Sequence, residues 1–505
     1  MRGKVKKSFA ILICIFVIVG GFYGVKRYNQ YKTYKEDAVY LLNFLEDNYP
    51  YFEVKEKTLN YNFLDSKEKF IKKISKSRND AEFIKNVSST MMFLQNAHSR
   101  IGCNSDILKE SNDKDALEKT RYWNEKLLKN IYIPDAKWKY IKGKYVIIKS
   151  KNKDIPKGSI ITKFNGKSVS DYLKNNKDKY YLLKDYKRNL YYTSEDGSFK
   201  LDNFRDNIEF EYNGKKFNRR INYELINDDL LKWYSGGFSN NFGVNSSGIN
   251  IDTDIVNNGK TAYVKIKSFS TEYMENDKLS LKNFLLKECE NVDNIVIDIR
   301  RNSGGSNSYG EFLISILTDR NIENTFYQCY KNTKFMDENY FSKVDYTIFN
   351  ENEIDKSQLP ENNYNLEKYR IFKQSRIIMP HEDSIKFKGY IYVLVDDNVY
   401  SASEYFTNMI KKTKSAKIVG ITTGGDGLGP EPISTFLPNS KLPVQIASTL
   451  GVNSDGRIDE EVHTESDLYI EQDFNDYIEF LNSGLSEIER SKYDTVYRKL
   501  MSELK

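Results

Sequence analysis

Histidine, cysteine and proline are scarce in this chain of 505 residues, at 3, 4 and 9 copies. The three histidines, at positions 98, 381 and 463, are far apart, and no Cys-x-x-Cys pair accompanies them, so no metal site is expected. Cys14 falls in an apolar run, which leaves Cys103, Cys289 and Cys329 as an odd set with no disulfide framework. Cys289, within FLLKECENV, fits a buried helix position. No internal repeat or long low-complexity tract is present. Basic charge is also missing where a nucleic-acid binder needs it. The net charge is +6, but Arg2, Lys4, Lys6, Lys7, Lys26, Arg27, Lys32 and Lys35 stand in the first 35 residues without an acid. The body is therefore slightly acidic, which excludes nucleic acid as a partner. Nothing in the sequence calls for a cofactor.

What is abundant is aromatic: 38 Tyr and 29 Phe, a load that argues for large packed cores rather than disorder. The length implies several domains. Phe9–Val25 is an uncharged apolar run at the short end of what spans a bilayer, preceded by Lys6 and Lys7 and followed by Lys26 and Arg27. Residues 1–8 are expected as a short cytoplasmic tail and 9–25 as an uncleaved, single-pass transmembrane anchor, with the body outside the cell membrane. A cleaved signal peptide competes, but no small-x-small site follows the run. A lipoprotein at Cys14 is disfavoured by Ile13 before it.

Hydrophobic periodicity divides the rest. Residues 33–125 read as a helical domain, since DAVYLLNFLEDNYPYF and DAEFIKNVSSTMMFLQNAH repeat apolar positions at helical spacing, with Asp80 as an N-cap. Residues 130–225 alternate as short strands, two of them turning at Asn-Gly. Within them, Ile155–Leu173 (IPKGSIITKFNGKSVSDYL) resembles the glycine, apolar strand, Asn-Gly and short helix of PDZ domains; any small β-domain with such a hairpin is the plainer alternative. Residues 226–255 read as a linker from their Gly, Ser and Asn content. From 256 to 480 strands and helices alternate, and the near-continuous apolar strands NIVIDIR and YIYVLVDD imply a mostly parallel sheet covered on both faces, with an insertion at about 320–385. Residues 481–505 read as a C-terminal amphipathic helix.

Two loops, each after a buried strand, carry candidate chemistry. In Asp298–Gly305 (DIRRNSGG) the backbone at Gly304 and Gly305 can take positive φ and offer N–H groups to an oxyanion; a tight turn explains the glycines equally simply. In VDDNVYSASE a strand passes into a helix at Ser401, where the hydroxyl is exposed and the N–H of Ala402 can act as a second donor. The plainer alternative is a helix N-cap at Ser401 or Ser403, with Glu404 completing a capping box.

Taken in order, DIRRNSGG, VDDNVYSASE and the loop VGITTGGDG resemble the tail-specific (C-terminal-processing) peptidases and the tricorn core protease. The resemblance covers about 34–470. It implies an α/β fold with a ClpP/crotonase-like peptidase core, a PDZ-like β-domain and an N-terminal helical domain. It also implies Ser401 as nucleophile, with Ser403 and Asn302 supporting. Many relatives place a lysine base 25 residues after the serine, where this chain has Asp426. A carboxylate has the wrong charge and acidity for that base, so either the chain is inactive or another base serves. MMFLQNAHSRIG resembles the motif of the His-dependent branch and offers His98, with Asn96 where relatives carry Asp. A late carboxylate of that branch maps to Glu460, with Asp459 and Glu461 one residue away.

The expectation is a serine endopeptidase or carboxy-terminal processing enzyme acting on extracytoplasmic peptide or protein substrates through an acyl-enzyme. Two alternatives stay open: an inactive relative that binds peptides through its PDZ-like domain, and a non-peptidase hydrolase or acyl-binding protein of the crotonase-like fold.

Overall fold

The computed structural model describes residues 2–102, 114–193, 200–201, 205–235, 250–342, 352–430, 432–485 and 488–504, with side chains from residue 24 onward. One helix, Arg2–Asn48, opens the chain. Its second half turns Tyr34, Ala38, Leu41, Leu42 and Leu45 inward, at a spacing that makes one apolar stripe. Burial of each of the three leucines contributes about 1.5–3 kcal/mol. The helices Phe52–Leu59, Lys67–Ser75 and Asp80–Met92 share this core. Asn79, not Asp80, is the N-cap of the last of these. Asn79 is extended and its side chain accepts from the N–H of Glu82 (2.9 Å), while Asp80 accepts the hydroxyls of Tyr34 and Tyr122. Among the described residues no helix is long and apolar enough to cross a membrane. The side chains of the expected anchor, 9–25, lie outside the described residues up to residue 23.

The β-domain is a seven-stranded sheet. Its central strands are Lys215–Leu225, Arg205–Tyr212, Ile160–Phe164 and Lys144–Ser150, all antiparallel. Asn165-Gly166 and Asn213-Gly214 both adopt positive φ, the conformation that tight hairpin turns require. Helix Val169–Asn175 follows the first of these turns. A hairpin of Leu183–Asp185 and Leu190–Tyr192 leaves this sheet and meets the core, where the Tyr192 hydroxyl donates to Asp397 (2.7 Å).

The core sheet runs in the order Ile251–Val256, Thr261–Ile266, Asn294–Asp298, Tyr390–Val395, Lys417–Gly420, Leu468–Tyr469. The first pair is antiparallel and the others are parallel. Side chains alternate across it. Ile295, Ile297, Val393 and Val395 pack under the helices Asn307–Leu317 and Ala402–Thr413. Val296, Leu394 and Val419 face the helix Thr495–Glu503 through Val496, Tyr497 and Leu500. Both faces are therefore covered, as the apolar strands require.

Two boundaries differ from the sequence reading. Ile251–Val256, expected in the linker, is the edge strand of the core sheet. The end of the chain is not one helix from 481. Phe474–Ser483 stops at the left-handed Gly484, and Thr495–Glu503 restarts from an Asp494 cap. Within 320–385, Ile322–Lys331 and Tyr369–Ile378 pair antiparallel, and Ile322–Lys331 pairs with Thr449–Asn453 on its other side. This segment joins the N-terminal helices in one hydrophobic cluster, with Tyr49, Tyr51 and Phe83 alongside Cys329, Ile371 and Leu450. That shared cluster docks the helical domain on the core.

Candidate active site

Strand Tyr390–Val395 ends in a turn stapled by Asp396, whose carboxylate accepts the N–H groups of Asn398 (3.1 Å) and Arg301 (2.9 Å). The chain then turns sharply at Ser401, with φ 58° and ψ −125°. A non-glycine residue held there costs on the order of 1–3 kcal/mol, a strain that clusters at functional sites. Backbone bonds hold it: Ser401 N–H to Gly425 O (3.2 Å) and Tyr405 N–H to Ser401 O (2.9 Å). The Ser401 hydroxyl caps nothing on its helix. Glu404 is turned instead to the Thr464 hydroxyl. Ser401 thus occupies the N-cap position without a side-chain cap, and no capping box forms.

The Ser401 Oγ lies 3.1 Å from Nε2 of His98, and Nδ1 of His98 lies 2.8 Å from Oδ2 of Asp426. His98 stands in the turn between helix Asp80–Met92 and the short strand Arg100–Ile101, which pairs with Pro443–Ile446. The Gln445 side chain donates to the His98 carbonyl (3.1 Å), and the Tyr400 ring packs against the imidazole at 4.9 Å between centroids. Asp426, itself at φ 56°, also accepts from Asn96 Nδ2 (2.7 Å), the Tyr400 hydroxyl (2.9 Å) and the Tyr51 hydroxyl (3.1 Å).

Burial pushes the Asp426 carboxyl up, but the His98 charge and the bonds from His98, Asn96 and Tyr400 hold it well below the usual carboxylate range. Burial likewise disfavours the imidazolium of His98, and the charge and hydrogen bond of Asp426, with Glu460 adding, overcome this and raise its pKa above the ordinary value.

Glu460 does not touch His98. Its Oε1 accepts from Lys55 Nζ (2.6 Å), with Asn96 Nδ2 at 3.5 Å. Burial raises its carboxyl to about 7 against the pull of Lys55. The carboxylate on the imidazole is therefore Asp426, which the sequence alone marks only as unfit for a lysine's role. The signal was present: an acid that cannot replace a lysine can orient a histidine. Asn96 links Asp426 to Glu460, which leaves Glu460 one residue removed from the imidazole.

The glycine loop completes the cluster. Gly304 sits at φ 104°, and a Cβ there would lie 2.7 Å from Tyr400 O and 2.8 Å from Ala402 N, so only glycine fits. Asn302 clamps this loop to the serine. Its Oδ1 accepts from Gly304 N–H (3.0 Å) and from the Ser403 hydroxyl (2.7 Å), and its Nδ2 reaches Ile266 O (3.2 Å). The Gly304 N–H is thus engaged. Gly305 pairs with Phe269 through its neighbours, Phe269 N–H to Gly304 O and Ser306 N–H to Phe269 O, so its own N–H faces the other side. Ser401, His98, Gly304, Gly305, Ala402, Asn302 and Ser403 are all brought into one site. Among the described residues no group of three or more His, Cys, Asp or Glu side chains is arranged to hold a metal ion.

Such an arrangement can do nucleophilic acyl chemistry: a strained serine, a histidine within reach of its proton, a carboxylate fixing the imidazole, and backbone donors beside it. Residues 260–469 match the family model described as peptidase family S41. No curated protein matches the sequence. Among solved structures, a serine mutant of CPAF shares the fold at TM-score 0.59 and 15% identity, over 94% of this chain and 98% of that one. Mature CPAF does so at 0.57 and 15%, over 90% and 96%. Mature CPAF complexed with lactacystin does so at 0.55 and 16%, over 90% and 97%. The chain thus shares its fold with the CPAF structures, and its α/β core is similar to peptidase family S41.

Proposed function

We propose that this chain is a serine peptidase in which Ser401, His98 and Asp426 form the catalytic triad. The observation that carries the proposal is the unbroken chain of contacts from Ser401 Oγ through both nitrogens of His98 to Asp426. His98 takes the serine proton as Ser401 attacks a peptide carbonyl, then returns it to the leaving amine. Asp426 fixes the tautomer that leaves Nε2 free to accept, and stabilises the imidazolium. The N–H groups of Ala402 and Gly305 receive the oxyanion, with Gly304 and Asn302 shaping their loop. Water then hydrolyses the acyl-enzyme.

This reading sits with the His-dependent branch of the tail-specific peptidases. Asp426 in the lysine position, which on sequence favoured an inactive peptide-binding relative, has a use here as the partner of His98. The β-domain, in its PDZ-like reading, would take an extended chain terminus as an added strand. A place outside the cell membrane rests on the Phe9–Val25 run of the sequence alone.

The test is digestion of unfolded casein by the full chain beside Ser401→Ala and His98→Ala. Cleavage that both substitutions abolish supports the triad. Full cleavage by His98→Ala would remove the histidine from the mechanism, and cleavage that survives Ser401→Ala would remove the serine.

A further inference from the structure

The loop that supplies Asp426 is held from beneath by two buried carboxyl groups. Glu404, in the first turn of helix Ala402–Thr413, has no exposed surface. Its Oε1 accepts the Thr464 hydroxyl at 2.5 Å, and Thr423 and the Gly425 backbone also bear on the carboxyl. Thr464 is clasped to Thr423: the Thr464 N–H donates to Thr423 Oγ1 (2.9 Å) and the Thr423 N–H to Thr464 O (3.1 Å). Thr423 leads directly into Gly424-Gly425-Asp426-Gly427. That loop provides the carbonyl that holds Ser401 N–H and the carboxylate that holds His98. It lies so tightly on the helix that a Cβ on Gly427 would come within 2.8 Å of Glu404 Cβ. Asp459 Oδ2 accepts the Gly427 N–H (2.8 Å), and Asn408, one turn after Glu404 on the same helix, reaches Asp459 Oδ1 (3.3 Å).

We infer that Glu404 is a positioning residue: its carboxyl ties the serine-bearing helix to Thr464, and through Thr423 to the loop carrying Gly425 and Asp426. This rests on the triad reading above. The physical reason is that two buried carboxyls on one loop do not both ionise cheaply. Burial lifts Asp459 to about 6, against the pull of the Gly427 N–H, so it gives up its proton first. Glu404, with burial as the main cause and the Asp459 charge adding, is pushed up to about 8. The other titratable groups around the loop are spoken for. Asp426 is ionised on His98, Glu460 pairs with Lys55, and burial keeps His463 neutral, lowered to about 4.

A carboxyl whose pKa is raised on folding contributes its full stability below its unfolded value and loses it as pH rises through the folded one. Ionised Glu404 would face Asp459 and loosen the loop, so turnover should fall on the alkaline side with a midpoint near pH 8.

The experiment is kcat/KM against pH for the full chain, Glu404→Gln and Glu404→Ala, on a peptide whose cleavage depends on Ser401. Thermal unfolding of Ser401→Ala with and without Glu404→Gln is followed alongside, at about pH 6 and about pH 9. Glutamine mimics the neutral acid, so it should keep activity within about threefold at neutral pH while the alkaline limb flattens. Alanine should lose about tenfold or more at every pH. The fall in Tm between the two pH values should shrink when Glu404→Gln is present. An alkaline limb and a Tm fall that are unchanged in Glu404→Gln overturn the inference. Were even the unaltered chain to cleave nothing, the triad reading would fail, and the Tm comparison would still decide for or against Glu404.

Discussion

Asp426 Oδ2 lies 2.8 Å from Nδ1 of His98, although 328 residues separate the two in the chain. The contact separates two candidate carboxylates. Asp426→Asn removes the charge and permits the wrong imidazole tautomer, and should lower kcat by about 10³–10⁴. Glu460→Gln, one residue removed, should lower it by about tenfold at most. Steady-state kinetics of both variants decide, and a larger loss in Glu460→Gln would return Glu460 to the imidazole.

The same contact sets the acid side of the pH profile. His98 must be neutral to accept the serine proton, and Asp426 holds its pKa above the ordinary value. Activity should therefore rise with pH through a midpoint above about 6.5. In Asp426→Asn the imidazolium loses its partner, so the midpoint of the residual activity should move to lower pH. An unmoved limb would assign the titration to another group.

Gly304 faces the backbone on both sides of Ser401. Gly304→Ala should lower kcat/KM by about 100-fold or more, the scale of losing an oxyanion donor. A Cβ there pushes against Tyr400 O and Ala402 N. Asn302→Ala, which frees Gly304 N–H and leaves the Ser403 hydroxyl without its acceptor, should lose activity in the same direction. Wild-type turnover by Gly304→Ala would mean that the loop stands elsewhere during catalysis.

Lys55 and Glu460 form an ion pair whose side chains are 9% and 0% exposed. Lys55→Met removes the cation that holds the Glu460 carboxyl down, so Glu460 takes up a proton, and the docked helical domain should lose about 1–3 kcal/mol for the unmade bond. Lys55→Met combined with Glu460→Gln should recover most of that loss. Denaturant unfolding of the four proteins gives the coupling, and additive effects would mean that the pair holds nothing.

Much of this architecture was legible beforehand. NIVIDIR and YIYVLVDD are apolar on both faces, which only a covered parallel sheet explains, and Ser401 and His98 stood in recognisable local runs. The edge strand Ile251–Val256 was not legible: IDTDIV carries two acids and follows a stretch rich in Ser, Asn and Gly, so composition pointed to a linker. The pairing of Ile322–Lys331 with Thr449–Asn453 joins segments more than a hundred residues apart and leaves no local trace. Asp426 is visible in the sequence, but spacing alone shows only that it is unfit to be a lysine-like base. Its meaning depends on which side chain the fold brings to it, and that is a property of loop closure rather than of spacing.

His98 is made 303 residues before Ser401. A ribosome completes the helical domain and the β-domain while the serine has yet to be synthesised, and domains fold as they emerge. The sheet face that meets Thr495–Glu503 stays uncovered until that helix is made. Order along the chain thus gates the site: a copy that stops before Ser401 and Asp426 holds a histidine with neither of its two partners.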